Sequence, residues 1–400
     1  MTKIAKKLFV TAALLFSTAL TACGGGNKGE EKSGGGETGG DPVVTFRLNY
    51  KTGEADIFKT VTVKKGECVE EPEEAPEREG YIFDGWHDKF DADSEFDFDD
   101  EITKSIKIFA HWLAKLECTF DLNYDGAPAA TKVQVIQRSA VARPEDPTRE
   151  GYQFIGWTIN KEEKAGDDKF EYYDFERLFT ENRTLYAQWG APGSAKAYRF
   201  EAEFSNVITK GMGMTGNTYS GATTGLGLIG KETDNNSFGC SNGFYVHHLY
   251  ATGNNLKFEI NSSAAGTAKI QMRLSAEYYG FKMNSVGLVN EDDPSDKETN
   301  IAKYPIIVNG NSIDYGTIEF TNVPRQGQGD KPFDTYLLTE SVALVEGKNT
   351  IEMKTDNKLQ LQGTAIACAP MIDCLTFETS CSLSWMNANG MQAYKAPTNN

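Results

Sequence analysis

The stretch AYRFEAEFSN, residues 197–206, carries two carboxylates, Glu201 and Glu203, on either side of one alanine. Aromatic and charged residues alternate along it, which predicts a half-buried strand. Residues two apart on a strand share a face and lie only about 7 Å apart, so two unneutralised carboxylates there would repel each other. The pair therefore has three candidate roles: solvent-facing charge, a catalytic pair or a cation site.

Catalysis is the weakest of these roles. Inverting glycosidases hold two carboxyls about 6.5–9.5 Å apart, which two residues on one strand could match. Such a pair does not readily straddle a sugar bond, however. We predict no catalytic residues and no enzymatic activity.

The composition bounds the class of protein. Its 400 residues leave room for roughly two to four domains. A net charge of -17 and a pI of about 4.8 argue against binding to nucleic acid and against electrostatic adhesion to anionic lipid, because both need a basic face. An acidic chain instead stays soluble and attracts cations.

The N-terminus has the features of an export signal. Lysines near the start precede the apolar run 8–20, which is too short to span a bilayer. The Leu-Thr-Ala-Cys that follows, residues 20–23, resembles a bacterial lipobox, which implies cleavage after residue 22 and acylation of Cys23; an ordinary secretory signal with a chance cysteine is the alternative. Residues 23–43 are rich in Gly, Glu and Lys and predict a flexible tether. We therefore expect an extracytoplasmic protein that is anchored to the bacterial cell membrane by lipid.

Six further cysteines follow Cys23. None stands in a Cys-x-x-Cys pair, which argues against a zinc site. Disulfides are compatible with this compartment, but spacing does not give their connectivity, and buried or free thiols are equally open. The six are Cys68, Cys118, Cys240, Cys368, Cys374 and Cys381.

One phrase occurs twice in the chain. REGYIFDGW at 78–86 returns as REGYQFIGW at 149–157, VTFRLNY at 44–50 returns as CTFDLNY at 118–124, and KIFAHW at 107–112 returns as TLYAQW at 184–189. Such self-similarity indicates two tandem modules of about 70 residues, each opening and closing with a strand. A short link at 113–117 is expected between them.

These motifs resemble the Listeria–Bacteroides repeat, the B-repeat of internalin B. The resemblance implies a small β-grasp-like module at 44–112 and another at 118–189, used in surface proteins as a spacer or adhesion module without chemistry of its own. The aromatic residues of each copy are numerous enough to form the core of a small domain, and we favour this role over a ligand platform. They are Tyr81, Phe83, Trp86 and Trp112, and Tyr152, Phe154, Trp157 and Trp189.

After the linker at 190–196, many short alternating runs predict a β-sandwich or jelly roll. FEAEF, PIIVNG, LVEGKNTIEM and PMIDCLTFE occur in this order and resemble segments of the carbohydrate-binding modules of families 6, 35 and 36. The resemblance covers about 197–379 and implies a jelly roll that contains structural calcium. In that family the first-strand Glu-x-Glu and an Asp at the start of the last strand hold the ion.

Carried over to this chain, the implied calcium ligands are Glu201, Glu203 and Asp373. A hard cation prefers carboxylate and carbonyl oxygens at about 2.4 Å. It would also convert the repulsion between the two glutamates into shared attraction to one charge. Calcium is therefore the interpretation that we favour over solvent-facing charge.

The same resemblance implies a sugar site in a loop cleft or on a concave face. An aromatic ring there stacks on the apolar face of a pyranose. Tyr278 and Tyr279, directly after the run IQMRLSA, are the preferred candidates and Tyr245 is next, although a ring packed under a loop is the alternative for each. Many family members have Asn two residues before the final Asp, where this chain has Met371.

The sequence thus predicts a mainly all-β surface lipoprotein that binds glycan or polysaccharide without catalysis, with calcium as a structural cofactor. The rival hypothesis is an adhesin or scaffold that binds a protein partner. The predicted parts are a signal peptide at 1–22, a tether at 23–43, β-grasp-like repeats at 44–112 and 118–189, a linker at 190–196, a jelly roll at 197–379 and a tail of unknown role at 380–400.

Overall fold

The computed structural model describes residues 40–89, 95–164, 170–208, 228–231, 239–241, 243–247, 249, 255–276, 280–290, 292–293, 296, 299–320, 333–354 and 369–386. In these residues the chain forms strands and two short 3₁₀ turns, with no α-helix. No helix in this part is long and apolar enough to cross a membrane. The mainly all-β prediction is confirmed.

The two repeats share one mixed sheet of seven strands. In each repeat the opening strand is antiparallel to the second strand and parallel to the closing strand, which in turn is antiparallel to the third. A 3₁₀ turn at Gly53–Asp56 separates the first two strands. The strands are β1 Val43–Arg47, β2 Ile57–Thr62, β3 Tyr81–His87, β4 Ile106–Asp121, β5 Thr131–Ile136, β6 Gln153–Thr158 and β7 Arg183–Gly190.

Strand β4 is the closing strand of repeat 1 and also the opening strand of repeat 2. Its first half pairs with β1 from Ile106 onward, and its second half pairs with β5 and β7 up to Asp121. The expected link at 113–117 is therefore continuous strand and was wrongly interpreted as a connection between elements. The segment LAKLE contains no Gly or Pro to interrupt the ladder, so the repeats are joined by paired backbone.

The tryptophans of the repeats form their cores. Trp86 is 1% exposed and packs edge-on against Phe46, and the copy in repeat 2, Trp157, is 3% exposed. The tyrosine of the second repeat motif is different: Tyr152 is 49% exposed, and the guanidinium of Arg149 lies 3.7 Å from its ring centroid. The core role thus holds for the tryptophans and not for this tyrosine.

The C-terminal part is a β-sandwich. Its strands are β8 Lys196–Glu201, β9 Asn206–Ile208, β10 Leu228–Lys231, β11 Phe244–His247, β12 Asn255–Ser262, β13 Gly266–Ala276, β14 Lys282–Asn284, β15 Ile301–Lys303, β16 Ile306–Val308, β17 Asn311–Ser312, β18 Ile318–Glu319, β19 Asp334–Leu344, β20 Gly347–Lys354, β21 Pro370–Thr379 and β22 Leu383–Trp385.

Two six-stranded sheets face each other across one hydrophobic core. One has the order β10-β11-β21-β13-β19 with β8 paired to β21, and the other has the order β17-β16-β20-β12-β22 with β9 paired to β12. The core between them includes Phe258, Ile270 and Phe377. The first strand, β8, is the antiparallel neighbour of β21, so the two ends of the module close on each other.

Part of the predicted tail belongs to the sandwich. Strand β22 pairs with β12, and the ring of Trp385 stacks on Phe258 with centroids 5.7 Å apart. The module therefore extends to residue 385 at least, beyond the predicted boundary at 379.

Candidate cation site between repeat 2 and the jelly roll

The carboxylates of Glu201 and Asp373 meet on the outer face of the β8–β21 sheet. Glu201 is 1% exposed and Asp373 is fully buried. The hydroxyl of Ser241 donates to Oε2 of Glu201, lies 3.1 Å from Oδ1 of Asp373, and therefore bridges the two acids. Ligand atoms of Glu201, Asp373 and Cys374 all lie within 4.8 Å of one another. The structure thus brings together two of the three residues predicted as calcium ligands, and their role as ligands stays a prediction.

Glu203 follows a different backbone path from the one predicted, and its carboxylate is not among the ligand atoms that lie within 4.8 Å of one another. Strand β8 ends at Glu201, and residues Ala202–Phe204 form a 3₁₀ turn closed by the N–H of Ser205, which donates to the carbonyl of Ala202. The expectation of two glutamates on one strand face is therefore wrong. Glu203 is nevertheless fully buried, and its charge acts on Glu201. Burial of both glutamates also excludes a role as solvent-facing charge.

A β-bulge directs two consecutive residues of β21 towards the site. Met272 pairs with Leu375 and Leu274 pairs with Ile372, so Arg273 alone on β13 faces Asp373 and Cys374 on β21. Such a bulge interrupts the alternation of side chains along a strand. Nη1 of Arg273 lies 2.5 Å from Oδ2 of Asp373, which makes an ion pair within the sheet.

Burial disfavours the charged form of the acids in the site. Burial and then the charge of Glu203 raise the pKa of Glu201 well above its ordinary value. Burial also raises the pKa of Asp373, although Arg273 and Arg199 act in the opposite direction. Burial raises the pKa of the Cys374 thiol, which favours the neutral form. Ionised carboxylates are therefore destabilised in the cluster, and a bound cation would stabilise them.

The donor set fits a hard divalent cation. Carboxylate and hydroxyl oxygens are the ligands that calcium prefers, and a neutral thiol does not compete with them. Burial and then the charges of Glu203, Asp373 and Asp174 raise the pKa of Glu201, whereas Arg199 lowers it.

Repeat 2 covers the site. Oδ2 of Asp174 accepts the backbone N–H of Glu201 at 2.9 Å, and both carboxylate oxygens of Asp174 lie 3.0 Å from Nε1 of Trp385. Asp174 is 3% exposed, and burial raises its pKa to about 6 in spite of these hydrogen bonds. Nη1 of Arg177 approaches the carbonyl of Ser241 at 3.4 Å. Repeat 2 is thus one wall of the cluster.

Sequence reasoning missed several residues of this site. Ser241 lies far from β8 and β21 in the chain, and the Gly-x-Ser-x-Gly pattern of GCSNG at 239–243 is the one signal that marks it. Arg273 gave no signal, because it stands at a polar position of the regular alternation in IQMRLSA. Cys374 was noted as a cysteine but not as part of the cluster, because adjacent strand residues normally point to opposite faces.

Of the three predicted sugar-binding residues, Tyr245 alone lies in the described part of the chain. Tyr278 and Tyr279 lie outside the described residues, as does the predicted lipidation site Cys23. Tyr245 lies on β11, is 8% exposed and packs with Phe333 and Met371. Its ring is largely covered by these neighbours, and its role in sugar binding stays a prediction.

Comparison with known proteins identifies the tandem modules. Residues 43–111 and 117–188 match the family model of the Listeria–Bacteroides repeat domain. Internalin H of Listeria monocytogenes is 34% identical over 133 residues, which are 32% of this chain and 23% of that protein. A protein named as a membrane protein in Evansella cellulosilytica is 33% identical over 157 residues, 37% of this chain and 22% of the relative. The chain thus spans about a fifth of the length of these curated relatives.

Among solved structures, a family 35 carbohydrate-binding module from Clostridium thermocellum is 18% identical, with a TM-score of 0.27, over 46% of this chain and 98% of that one. The corresponding module from Paenibacillus barcinonensis is 16% identical, with a TM-score of 0.26, over 45% of this chain and 97% of that one. The matches to the family model lie on the two copies of the repeated phrase and on the seven-stranded sheet that they form. Residues 43–111 and 117–188 are therefore two Listeria–Bacteroides repeat domains.

Proposed function

We propose that this protein is a bacterial surface lipoprotein that binds glycan without catalysis through a calcium-stabilised jelly roll, which the repeats carry away from the membrane. One observation carries the proposal. The strand that opens the sandwich and the strand β21 near its end bring Glu201 and Asp373 into one buried cluster, where the resemblance to carbohydrate-binding modules expects a structural ion. The segments FEAEF and PMIDCLTFE thus lie side by side as that resemblance requires.

Glu201, Glu203 and Asp373 would hold the calcium ion. When bound, the ion supplies positive charge that joins strand β8, which carries Glu201, to strand β21, which carries Asp373. Ser241 orients Glu201 and Asp373 through its hydroxyl, and Arg273 holds the second oxygen of Asp373. The ion would act structurally, because the carboxylates of Glu201, Glu203 and Asp373 are buried.

Glycan recognition would use a different surface. Tyr278 and Tyr279 remain the preferred stacking residues, since a ring can pack on the apolar face of a pyranose while neighbouring polar groups bind its hydroxyls. They follow β13, the strand that carries Arg273. The calcium cluster and the sugar site would then be linked through one strand while using different residues.

A glycan array tests this function. The chain without residues 1–23 is applied with and without calcium, and the Tyr278→Ala, Tyr279→Ala double variant is applied beside it. We expect binding to a restricted set of polysaccharides that the double variant loses. Binding that survives in the double variant contradicts the assignment of these tyrosines, and an array with no bound glycan contradicts the function itself.

The similarity of the repeats to a segment of internalin H favours a second candidate, an adhesin or scaffold that binds a protein partner. The exposed Tyr152, with Arg149 over its ring, is the kind of surface that such a partner would contact. A negative glycan array together with capture of a surface protein that depends on Arg149 and Tyr152 would support this candidate over the first.

The lipid anchor has its own test. A Cys23→Ser variant removes the thiol that acylation requires, and we expect the protein to move from the membrane fraction to the medium. An unchanged membrane fraction would contradict anchoring through Cys23.

A further inference from the structure

The junction between repeat 2 and the jelly roll depends on Asp174. This residue lies in repeat 2, yet its carboxylate accepts hydrogen bonds from the backbone of Glu201 and from the indole of Trp385, both of which belong to the jelly roll. Asp174 also accepts the backbone N–H of Glu176 at 3.0 Å within its own turn. One buried carboxylate thus joins its own loop to the first strand and to the last described strand of the neighbouring module.

Repeat 1 provides an internal comparison. The segment FDFDD at 96–100 corresponds to YDFER at 173–177, so Asp97 is the counterpart of Asp174. Asp97 makes the same local bond, because Oδ1 accepts the backbone N–H of Asp99 at 3.0 Å. Asp97 is exposed, however, whereas Asp174 is 3% exposed. The turn is therefore common to both repeats, and the contact with the jelly roll is an addition in repeat 2.

Further contacts extend the junction on both sides of Asp174. Nζ of Lys196, the first residue of β8, lies 2.6 Å from Oδ2 of Asp146 in repeat 2. A Cβ placed on Gly156 of β6 would lie 3.0 Å from the carbonyl oxygen of Ala197, so the two backbones approach closely. At the other side, Arg177 reaches the carbonyl of Ser241, the residue whose hydroxyl joins Glu201 to Asp373. Arg177 takes the place of Asp100 in repeat 1.

We propose that repeat 2 is an integral wall of the cation site, that Asp174 is a positioning residue for Glu201, and that cation binding locks repeat 2 onto the jelly roll. The inference rests on the proposed calcium binding. It adds that calcium controls the docking of repeat 2 on the jelly roll. Asp174 fixes the backbone of one ligand, and Arg177 fixes the loop that carries Ser241, so undocking of repeat 2 would release both at once. By linkage, an ion that needs these groups in place favours the docked arrangement.

The physical consequence is a junction between repeat 2 and the jelly roll whose stiffness depends on calcium. Strand β4 already joins the two repeats by continuous backbone pairing. With the site filled, repeat 2 and the jelly roll would also behave as one body, and the glycan-binding module would be held at a fixed orientation to the repeats. With the site empty, the connection between β7 and β8 and the contacts of Asp174, Lys196 and Arg177 would hold the junction.

The test combines calorimetry with hydrogen exchange on the chain without residues 1–23, which retains every described residue. Calcium is titrated into chelator-treated wild type, Asp174→Asn and the matched control Asp97→Asn. We expect the Asp174→Asn affinity to fall about tenfold or more, as for other outer-shell partners of metal ligands, and the control to bind as wild type does. In wild type, calcium should slow amide exchange in 171–178 of repeat 2 as well as in 197–205 and 370–376.

Each result has a distinct meaning. Equal calcium affinity in Asp174→Asn and wild type, or protection confined to the jelly roll, overturns the coupling and leaves calcium binding intact. No calcium binding in wild type overturns the proposed cation site and the coupling with it. Should Asp174→Asn fail to fold, Trp385→Phe removes the indole N–H that donates to Asp174 and keeps an aromatic ring. This variant should bind calcium more weakly and show less protection from exchange in 171–178. Wild-type values of both quantities would again overturn the coupling.

Discussion

Arg273 and Asp373 form an ion pair of 2.5 Å, Nη1 to Oδ2, at the position where β21 has one residue more than β13. Asp373 is fully buried, and the side chain of Arg273 is 12% exposed. The bulge explains how two neighbouring residues of β21 face the same cluster, because it interrupts the alternation that would send Cys374 into the core. Arg273 thus neutralises the carboxylate of Asp373. The charge of the other ionised carboxylates in the site remains to be balanced.

Replacement of Arg273 by Met should be strongly destabilising. It leaves the carboxylate of Asp373 buried without its guanidinium partner, a loss of about 3–5 kcal/mol in the free energy of unfolding. Calcium should restore part of that loss, since it brings positive charge to the same carboxylate. Urea unfolding with calcium and with EDTA measures both effects.

The matched control is Lys269→Met on the same strand. Lys269 faces Glu378 at 3.8 Å in a half-exposed pair, which is worth less than about 1 kcal/mol. Equal midpoints for the Arg273 and Lys269 variants would show that the buried pair contributes no more than a surface pair.

Calcium should raise the melting temperature of the wild-type chain. A ligand at a hundredfold excess over its Kd stabilises the native state by about 2.7 kcal/mol, which corresponds to roughly 5–11 °C in a domain of this size. Glu201→Gln and Asp373→Asn should both lose the response, because each removes a carboxylate ligand. Glu378→Gln, on the same strand as Asp373, should keep it. Identical wild-type melting curves in calcium and in EDTA would refute the metal assignment.

Cys374→Ser should leave the calcium response unchanged. Burial keeps the pKa of this thiol well above its ordinary value, so the thiol stays neutral near pH 7 and is a poor ligand. A zinc titration run in parallel distinguishes a thiolate site from an oxygen site. Loss of the calcium response in the serine variant, or stronger stabilisation of wild type by zinc than by calcium, would identify Cys374 as a ligand.

The sequence predicted those features of the site that local patterns encode. The order along the chain of the short segments that contain Glu201, Glu203 and Asp373 could be recognised. Their burial is explained by the adjacency of strands β8 and β21. Asp174 could not be found in this way, because its turn reads the same as the turn of Asp97, and docking against another module leaves no local pattern.

Two other differences between the sequence-based predictions and the structure arise from the backbone. Strand β8 ends at Glu201 because its N–H is donated to Asp174 and a 3₁₀ turn follows, although alternation continues through Phe204. The sequence predicts a connection at 113–117 when each repeat is given its own opening and closing strands. Absence of Gly and Pro in LAKLE was the available signal that one strand serves both repeats.

The stability of repeat 1 should decrease at acid pH through Asp56, which is 4% exposed in the turn between β1 and β2. Burial raises its pKa, but hydrogen bonds from Arg47 at 2.7 Å and from the backbone of Lys51 and Tyr50 outweigh burial and leave the pKa below the ordinary value of 3.8. Because the folded pKa is the lower one, the contribution is complete at neutral pH and is lost as the pH falls below 3.8 towards the folded pKa. We therefore expect Asp56→Asn to cost about 1–3 kcal/mol at pH 7, and the difference from wild type to shrink below pH 4. Urea midpoints of wild type, Asp56→Asn and the exposed-site control Asp125→Asn at pH 7, 5, 4 and 3 measure this, and a difference that is constant over the series would show that the charge of Asp56 contributes nothing.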